Sequence, residues 1–287
     1  MKIDRGFTRS RALAVAVHVL LTLALLVVGR RREERATAAA VDRLLGSARG
    51  RPLPARSPDA FDGLPDPVRR YFETVLPADP LERPAVRVEQ RGELRLGPDS
   101  SWTGFAATHH ATTRRPGFVW DATVDLAPAV SVRVRDGYVD GGGSARVALF
   151  GALPVDGATP SPELNEAALQ RYLAEAVWYP QALLPEHGVS WEPIDDRTAR
   201  ATLAHGGTTA SLTFHFSPEN EVERVHATAR NRRVGDGYEP TPWTGLWRDY
   251  EVRDGAPIPT AGEVVWHLPD NDFHAWRGRV TEIESLS

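Results

Sequence analysis

The sequence predicts a mainly β protein of the α+β class. The expected form is a strongly curved antiparallel sheet or half-barrel of about ten or eleven strands, with two or three helices in or over the concave face and an N-terminal transmembrane helix. Three observations carry this. Hydrophobicity alternates with a period of two through most of the chain beyond residue 85. One helix-forming, aromatic stretch, RYLAEAVWYPQALLPEHGVSW (171–191), interrupts that alternation. A single long apolar run stands near the start.

That run, ALAVAVHVLLTLALLVVG (12–29), is uncharged over 18 residues. As a helix it would reach about 27 Å, close to the ~30 Å of a bilayer core. It exceeds the apolar stretch of a cleaved signal peptide, and Gly29 followed by Arg30, Arg31 and Arg32 offers no small-residue cleavage site. A retained single-pass anchor in the cell membrane is therefore expected. Orientation hangs on a narrow margin, because Lys2, Arg5, Arg9 and Arg11 precede the span while Arg30, Arg31, Arg32 and Arg35 follow it. The N-terminal amine tips the count toward a cytoplasmic N-terminus and an extracytoplasmic globular part. His18, inside the run, reads as a tolerated polar residue. The expected division is an anchor with basic flanks over 1–32, a juxtamembrane helix and Pro-rich linker over 33–62, and one β-rich domain over 63–287.

Within the linker, RGRPLPARSPDAFDGLPDP (49–67) strings together Pro and Gly. Asp66 as N-cap and Pro67 at the first helical position then open a short helix, with Val68, Tyr71, Phe72 and Val75 on its apolar face and Pro77 at its end. In VRVEQRGELRL (86–96), Val86, Val88, Leu94 and Leu96 face one way and a ladder of Arg and Glu the other, as in an antiparallel strand wet on one side. FVWDATVDL (118–126) puts Phe118, Trp120, Ala122, Val124 and Leu126 on one face. Strands follow at SVRVR and ARVALF.

Ser161 as N-cap and Pro162 start the interrupting helix. Its apolar stripe is Leu169, Tyr172, Leu173, Ala176 and Val177, and Pro185 and Gly188 stop it. VSWEPI, ARATL, TASLTFHF, EVERVHATA, GLWRDYEV, IPTAGEVVWHL and AWRGRVTEI continue as strands, punctuated by turns at Asp195-Asp196, Gly206-Gly207 and Asp254-Gly255.

Ten strands spaced about 4.8 Å apart make a sheet roughly 45 Å wide, and two helices about 10 Å across cover half of it. The sheet must curl, sandwich on itself, or keep an uncovered apolar hollow. The 162–184 helix is expected to plug the concave side, with Trp178, Tyr179 and Trp191 near the mouth, where rings with a polar edge suit a boundary between apolar and wet surroundings.

The stretches LPDPVRRYF, RYLAEAVWYPQALLP, VSWEPIDDRTARATL, WTGLWRDYEVRDGAPIPTAGEVVWHLP and WRGRVTEI together resemble an uncharacterised bacterial family of unknown function, often membrane-anchored. The likeness covers residues 62 to 284. A second resemblance is architectural: the expected curved sheet with helices in its concavity is similar to the bacterial lipoprotein carriers and their lipid-binding relatives, which shield acyl chains in the hollow. No motif matches theirs residue by residue, so this likeness stays at the level of fold.

Composition closes off several chemistries. There is no cysteine, hence no disulfide, thiol nucleophile or Cys-based zinc site. With 34 basic and 38 acidic residues the net charge is -4, and no basic block marks a nucleic-acid footprint; ARNRR (229–233) reads as a solvated strand end. His109 and His110, adjacent on a strand, point to opposite faces and cannot readily share an ion. His215, His226, His267 and His274 fall on separate strands with no HExxH or HxH frame. Asp195-Asp196 reads as a turn. GGG (141–143) reads as a loop and not a phosphate cradle, and no G-x-S-x-G elbow exists. No catalytic residue, metal ligand or cofactor is assigned, and the sequence leaves the oligomeric state and the identity of any ligand open.

The reading favours a non-enzymatic, membrane-anchored module that holds a lipid or acyl chain. The residues expected to line its site are Trp120, Tyr172, Ala176, Trp178, Tyr179, Trp191, Phe214, Trp243, Trp247 and Tyr250. The rivals are a membrane enzyme with His109, His215, Asp249 and His267 gathered in the hollow, and an envelope domain that binds a partner.

Overall fold

Alternating hydrophobicity is realised as one antiparallel sheet of thirteen strands in the order β6-β5-β4-β3-β2-β1-β13-β12-β11-β10-β9-β8-β7. The computed structural model describes residues 5–48, 61–76, 83–253 and 255–286, with side chains from residue 14 onward. Its strands are β1 (Ala85–Leu94), β2 (Thr103–Thr112), β3 (Gly117–Ala127), β4 (Val130–Val139), β5 (Gly142–Leu149), β6 (Leu153–Ala158), β7 (Val189–Asp195), β8 (Thr198–His205), β9 (Thr208–Phe216), β10 (Val222–Val234), β11 (Gly237–Arg253), β12 (Ala256–His267) and β13 (Asp272–Leu286). The helices are α1 (Arg5–Ala48), α2 (Asp66–Val75) and α3 (Pro162–Glu175).

Thirteen strands replace the expected ten or eleven, and the two additions are β2 and β6. After Phe105 the inward positions of β2 carry Ala107, His109 and Ala111, too small or polar to register as a hydrophobic stripe. The strand β6 is an exposed edge containing Pro154, and edges need no apolar face.

Bulges at Glu89/Gln90, Val147/Ala148, Ala227/Arg230 and Val264/Val265 deepen the twist and curl the sheet. The curl is strong enough that the β4–β5 turn meets the β8–β9 turn at Gly141 and Gly206, where the Tyr138 hydroxyl donates to the His205 carbonyl at 3.1 Å. Inside the curl Phe118, Trp120, Ala122 and Val124 are buried as expected, but Leu126 is exposed, where a bulge between Asp125 and Ala127 interrupts the pairing with β4.

The helix α3 lies in the concavity. Ser161 caps it, accepting from the Leu164 N–H at 3.2 Å, and Leu169, Tyr172, Leu173, Ala176 and Val177 are all fully buried. The α-helix stops at Glu175, earlier than expected, and three 3-10 turns (Ala176–Trp178, Pro180–Leu183 and Pro185–His187) carry the chain on to Gly188. Tyr179 has φ -140°, out of the helical region, as the following Pro180 demands.

The helix α2 begins one residue early, with Pro65 as its cap residue and Asp66 inside the first turn, where its carboxylate meets Arg69 at 3.2 Å. Its four apolar residues are buried, and it seals one end of the curl through Tyr71 on Phe216 and Phe72 on Trp191. Residues 49–60 of the linker, Pro77 and Asp254 lie outside the described residues.

The apolar run is part of α1, which is long and apolar enough to cross a membrane. The helix then continues without a break onto the convex face of the sheet. Arg146 binds both oxygens of Glu33 (2.9 and 2.6 Å), Arg135 donates to the Thr37 hydroxyl at 2.9 Å, and Leu44 is buried against Gly117. At Gly29 a side chain would come within 2.5 Å of the Ala152 carbonyl, so glycine is what lets the helix touch the β5–β6 turn.

Candidate functional site

A hollow of about 340 Å3 remains on the concave side, between α3 and the centre of the sheet. Beside it three glycines stand in register across neighbouring strands. Gly92 of β1 pairs with Gly278 of β13, which pairs with Gly262 of β12. Tryptophan rings lie over two of these glycines, and Gly92 lets the backbone of β13 approach. A Cβ on Gly262 would sit 2.6 Å from the Trp247 ring, and one on Gly278 2.5 Å from the Trp276 ring. Side chains at Gly262 and Gly278 would displace these rings, which line the hollow.

The walls are apolar, from Leu94, Val134, Val147 and Val264 together with Trp120, Trp243, Trp247 and Trp276. One side is different. Arg171 and Glu175, one turn apart on α3, face Asp136 of β4 and Arg230 of β10. Arg171 reaches Glu175 at 2.8 Å and Asp136 at 2.9 Å, and its guanidinium stacks over Phe118 and Trp120. Arg230 is held by the Ala167 carbonyl at 3.1 Å and by the faces of Trp243 and Trp266. Two cations and two carboxylates so placed can offset one another inside an apolar surround.

The surround bends their acidities. Burial raises the Glu175 carboxyl above the ordinary carboxylate range, only partly countered by Arg171. Burial and the charge of Arg171 bring Arg230 down to about 10. For Arg171 itself burial works against the charge, but Glu175 and Asp136 outweigh it and hold its affinity for the proton above the ordinary arginine value.

Behind this cluster lies His109, which is fully buried and makes no hydrogen bond through either ring nitrogen. Its Nδ1 stands 3.7 Å from Glu175 Oε2, which also lacks a hydrogen-bond partner. The ring stacks on Phe118 and Tyr179 instead. Burial first, then Arg171 and His110, push its pKa well below the ordinary histidine value, so it is neutral.

Of the residues anticipated at the site, Trp120, Trp243 and Trp247 line the hollow. Tyr172, Ala176, Trp178 and Tyr179 pack in the core behind it. Trp178 packs edge-on to Trp247 at 5.1 Å and donates to the Pro259 carbonyl, and the Tyr172 hydroxyl donates to the Thr112 carbonyl at 2.7 Å. Trp178 and Tyr179 are therefore in the interior and not at the mouth. Trp191 and Phe214 form a ring pair 5.1 Å apart toward the α2 end, and Tyr250 donates to the Val222 carbonyl. His215 and His267 lie on the outer face, bonded to Thr198 and to Thr244 and Asp272; Asp249 pairs with Arg279. They do not join His109. Among the described residues no group of three His, Cys, Asp or Glu is placed to hold a metal.

Sequence reasoning passed over Asp136, Arg171, Glu175, Arg230 and the glycine row. The i,i+4 spacing of Arg171 and Glu175 beside a wholly apolar stripe was the one available signal; the rest depends on strand register.

A curled antiparallel sheet wrapped around one helix, with an apolar pocket bordered by buried charge, defines a half-barrel with an internal hollow. Within that class the chain belongs to the DUF6920 family, a family of unknown function, which matches residues 62–284. No curated protein matches. Among solved structures the chain is similar to a LolA superfamily protein from Nitrosomonas europaea (11% identity, TM-score 0.40, covering 77% of this chain and 92% of that one). It is also similar to a DUF1329 family protein from Desulfovibrio piger (10% identity, TM-score 0.40, covering 71% and 88%).

Proposed function

We propose that this protein is a membrane-anchored module that holds an apolar chain, such as a lipid or acyl chain, in the tryptophan-floored hollow. The anchor in this reading is residues 12–29, with the half-barrel outside the cytoplasm. One observation carries the proposal: between α3 and the sheet, side chains leave a hollow unfilled whose walls are Leu94, Val134, Val147, Val264 and the rings of Trp120, Trp243, Trp247 and Trp276. The resulting 340 Å3 falls within the roughly 300–1,000 Å3 range of ligand pockets. Trp120, Trp243 and Trp247 would touch the ligand, and Tyr172, Ala176, Trp178 and Tyr179 would back the wall. Neither a nucleic acid nor a cofactor enters this reading.

Native mass spectrometry of the full chain, released from membranes in mild detergent, tests it. The expected result is an adduct of lipid mass that Val264→Trp, which places a ring inside the hollow, removes. A ligand-free wild-type protein, or an adduct that Val264→Trp retains in full, would overturn the proposal.

A further inference from the structure

We infer that the rim of the half-barrel around the mouth of the hollow rests on the bilayer in which α1 is anchored, so that the hollow exchanges its ligand directly with that bilayer. This rests on the anchor and lipid-holding readings above and adds where the ligand comes from.

Strand pairing defines two rims. Leu94 pairs with both Thr103 and Trp276, Ala127 with Val130, and Leu149 with both Val132 and Leu153. The end of β1, the β3–β4 and β5–β6 turns and the start of β13 therefore share one rim. The other rim carries Ala85, Thr112, Gly117 and Val139, also by register. Along the convex face α1 runs from the first rim to the second: Gly29 touches Ala152 in the β5–β6 turn, Glu33 meets Arg146, Thr37 meets Arg135, and Leu44 reaches Gly117. The helix preceding Gly29 must project beyond the first rim, and it is there that the protein leaves Val15, Leu20, Leu25 and Val28 uncovered.

Two independent features lie at that same rim. The hollow's lining reaches that rim at Leu94, Ala275, Trp276 and the exposed Leu96. Exposed apolar residues also gather there, namely Leu96, Leu126, Phe150, Leu153 and Val155. Leu126 lies at the exposed end of β3 and Phe150 at the β5–β6 turn. An apolar patch continuous with an uncovered apolar helix fits a lipid surface, and the exposed Arg30, Arg31 and Arg32 at the same level suit its anionic head groups.

The chain has no cysteine, so each introduced one is unique. Leu126→Cys, Phe150→Cys and, on the opposite rim, Val252→Cys can be labelled with a polarity-sensitive fluorophore in the full chain. The labelled proteins are reconstituted into phosphatidylethanolamine and phosphatidylglycerol vesicles containing lipids that carry a shallow nitroxide. Labels at 126 and 150 should be quenched several-fold more strongly than the label at 252. Equal quenching at both rims, or stronger quenching at 252, overturns the inference. If the rim labels stay unquenched while the lipid adduct persists, lipid holding stands and the bilayer contact falls. If they are quenched and no adduct exists, the contact stands and lipid holding falls. A chain that does not float with the vesicles removes the anchor reading and this inference together.

Discussion

The two halves of the concave side belong to one sheet and are built in opposite ways. Toward α2 the interior is solid: Leu173, Phe118, Phe214 and Tyr172 are buried to within 1% exposure, and rings meet in a chain from Phe72 through Trp191 to Phe214. Toward the β3–β4 turn the same curl encloses a void bordered by tryptophan rings and the charged side chains of Asp136, Arg171, Glu175 and Arg230. The difference teaches that the hollow is not a defect of helix coverage. A concave face fills where apolar side chains meet one another, and stays open where charged side chains border the space and discourage collapse.

That contrast can be broken most severely at Arg171. Arg171→Leu leaves the largely buried Glu175 and the half-buried Asp136 without their cation, and a loss of about 3 kcal/mol is expected in urea unfolding. A loss below 1 kcal/mol would mean that the charged border does not hold the open half together.

A paired comparison sharpens the point. Leu173→Ala cuts into the solid half, where cavity formation costs about 2–5 kcal/mol. Val134→Ala only widens an existing void and should cost about 1 kcal/mol or less. Equal losses would show that the two halves are packed alike.

The smallest effect lies at His109. An unfolded chain protonates this group below about pH 6.5, whereas burial keeps it neutral in the folded state. Stability therefore falls as pH drops through the ordinary histidine range and is unaffected by this group above it. His109→Phe removes two unpaired buried nitrogens and one such proton linkage, so it should stabilise by about 1 kcal/mol at pH 7. Comparing urea midpoints at pH 5.5 and 7.5 should give a shallower slope for the variant. The slope persists in part, because burial also lowers His110, His187, His205, His215 and His226.

Much of the architecture was legible along the chain. Alternation from Phe118 to Val124 and from Ala210 to Phe216 set the inward faces, and Ser161 with Pro162 set the start of α3, because these signals are local. The strand β2 escaped because alanine and histidine occupy its inward face. The docking of α1 escaped because its contacts are made by Glu33 and Thr37, which in isolation belong to a wet helix surface. Trp243 and Trp247 were conspicuous by composition, but nothing local distinguished their position at the hollow from that of Trp178 behind it.

By itself, the sequence determined which residues alternate, where helices begin, and that one apolar segment precedes a large curled sheet; periodicity and capping act over a few residues, so a linear reading reaches them. Only the tertiary structure decided that Gly92, Gly278 and Gly262 form one row, that Arg171, Glu175, Asp136 and Arg230 converge, and that α1 lies along the convex face. Those facts depend on register between segments as many as 186 residues apart, Gly92 to Gly278, and register is settled by the packing of the whole sheet.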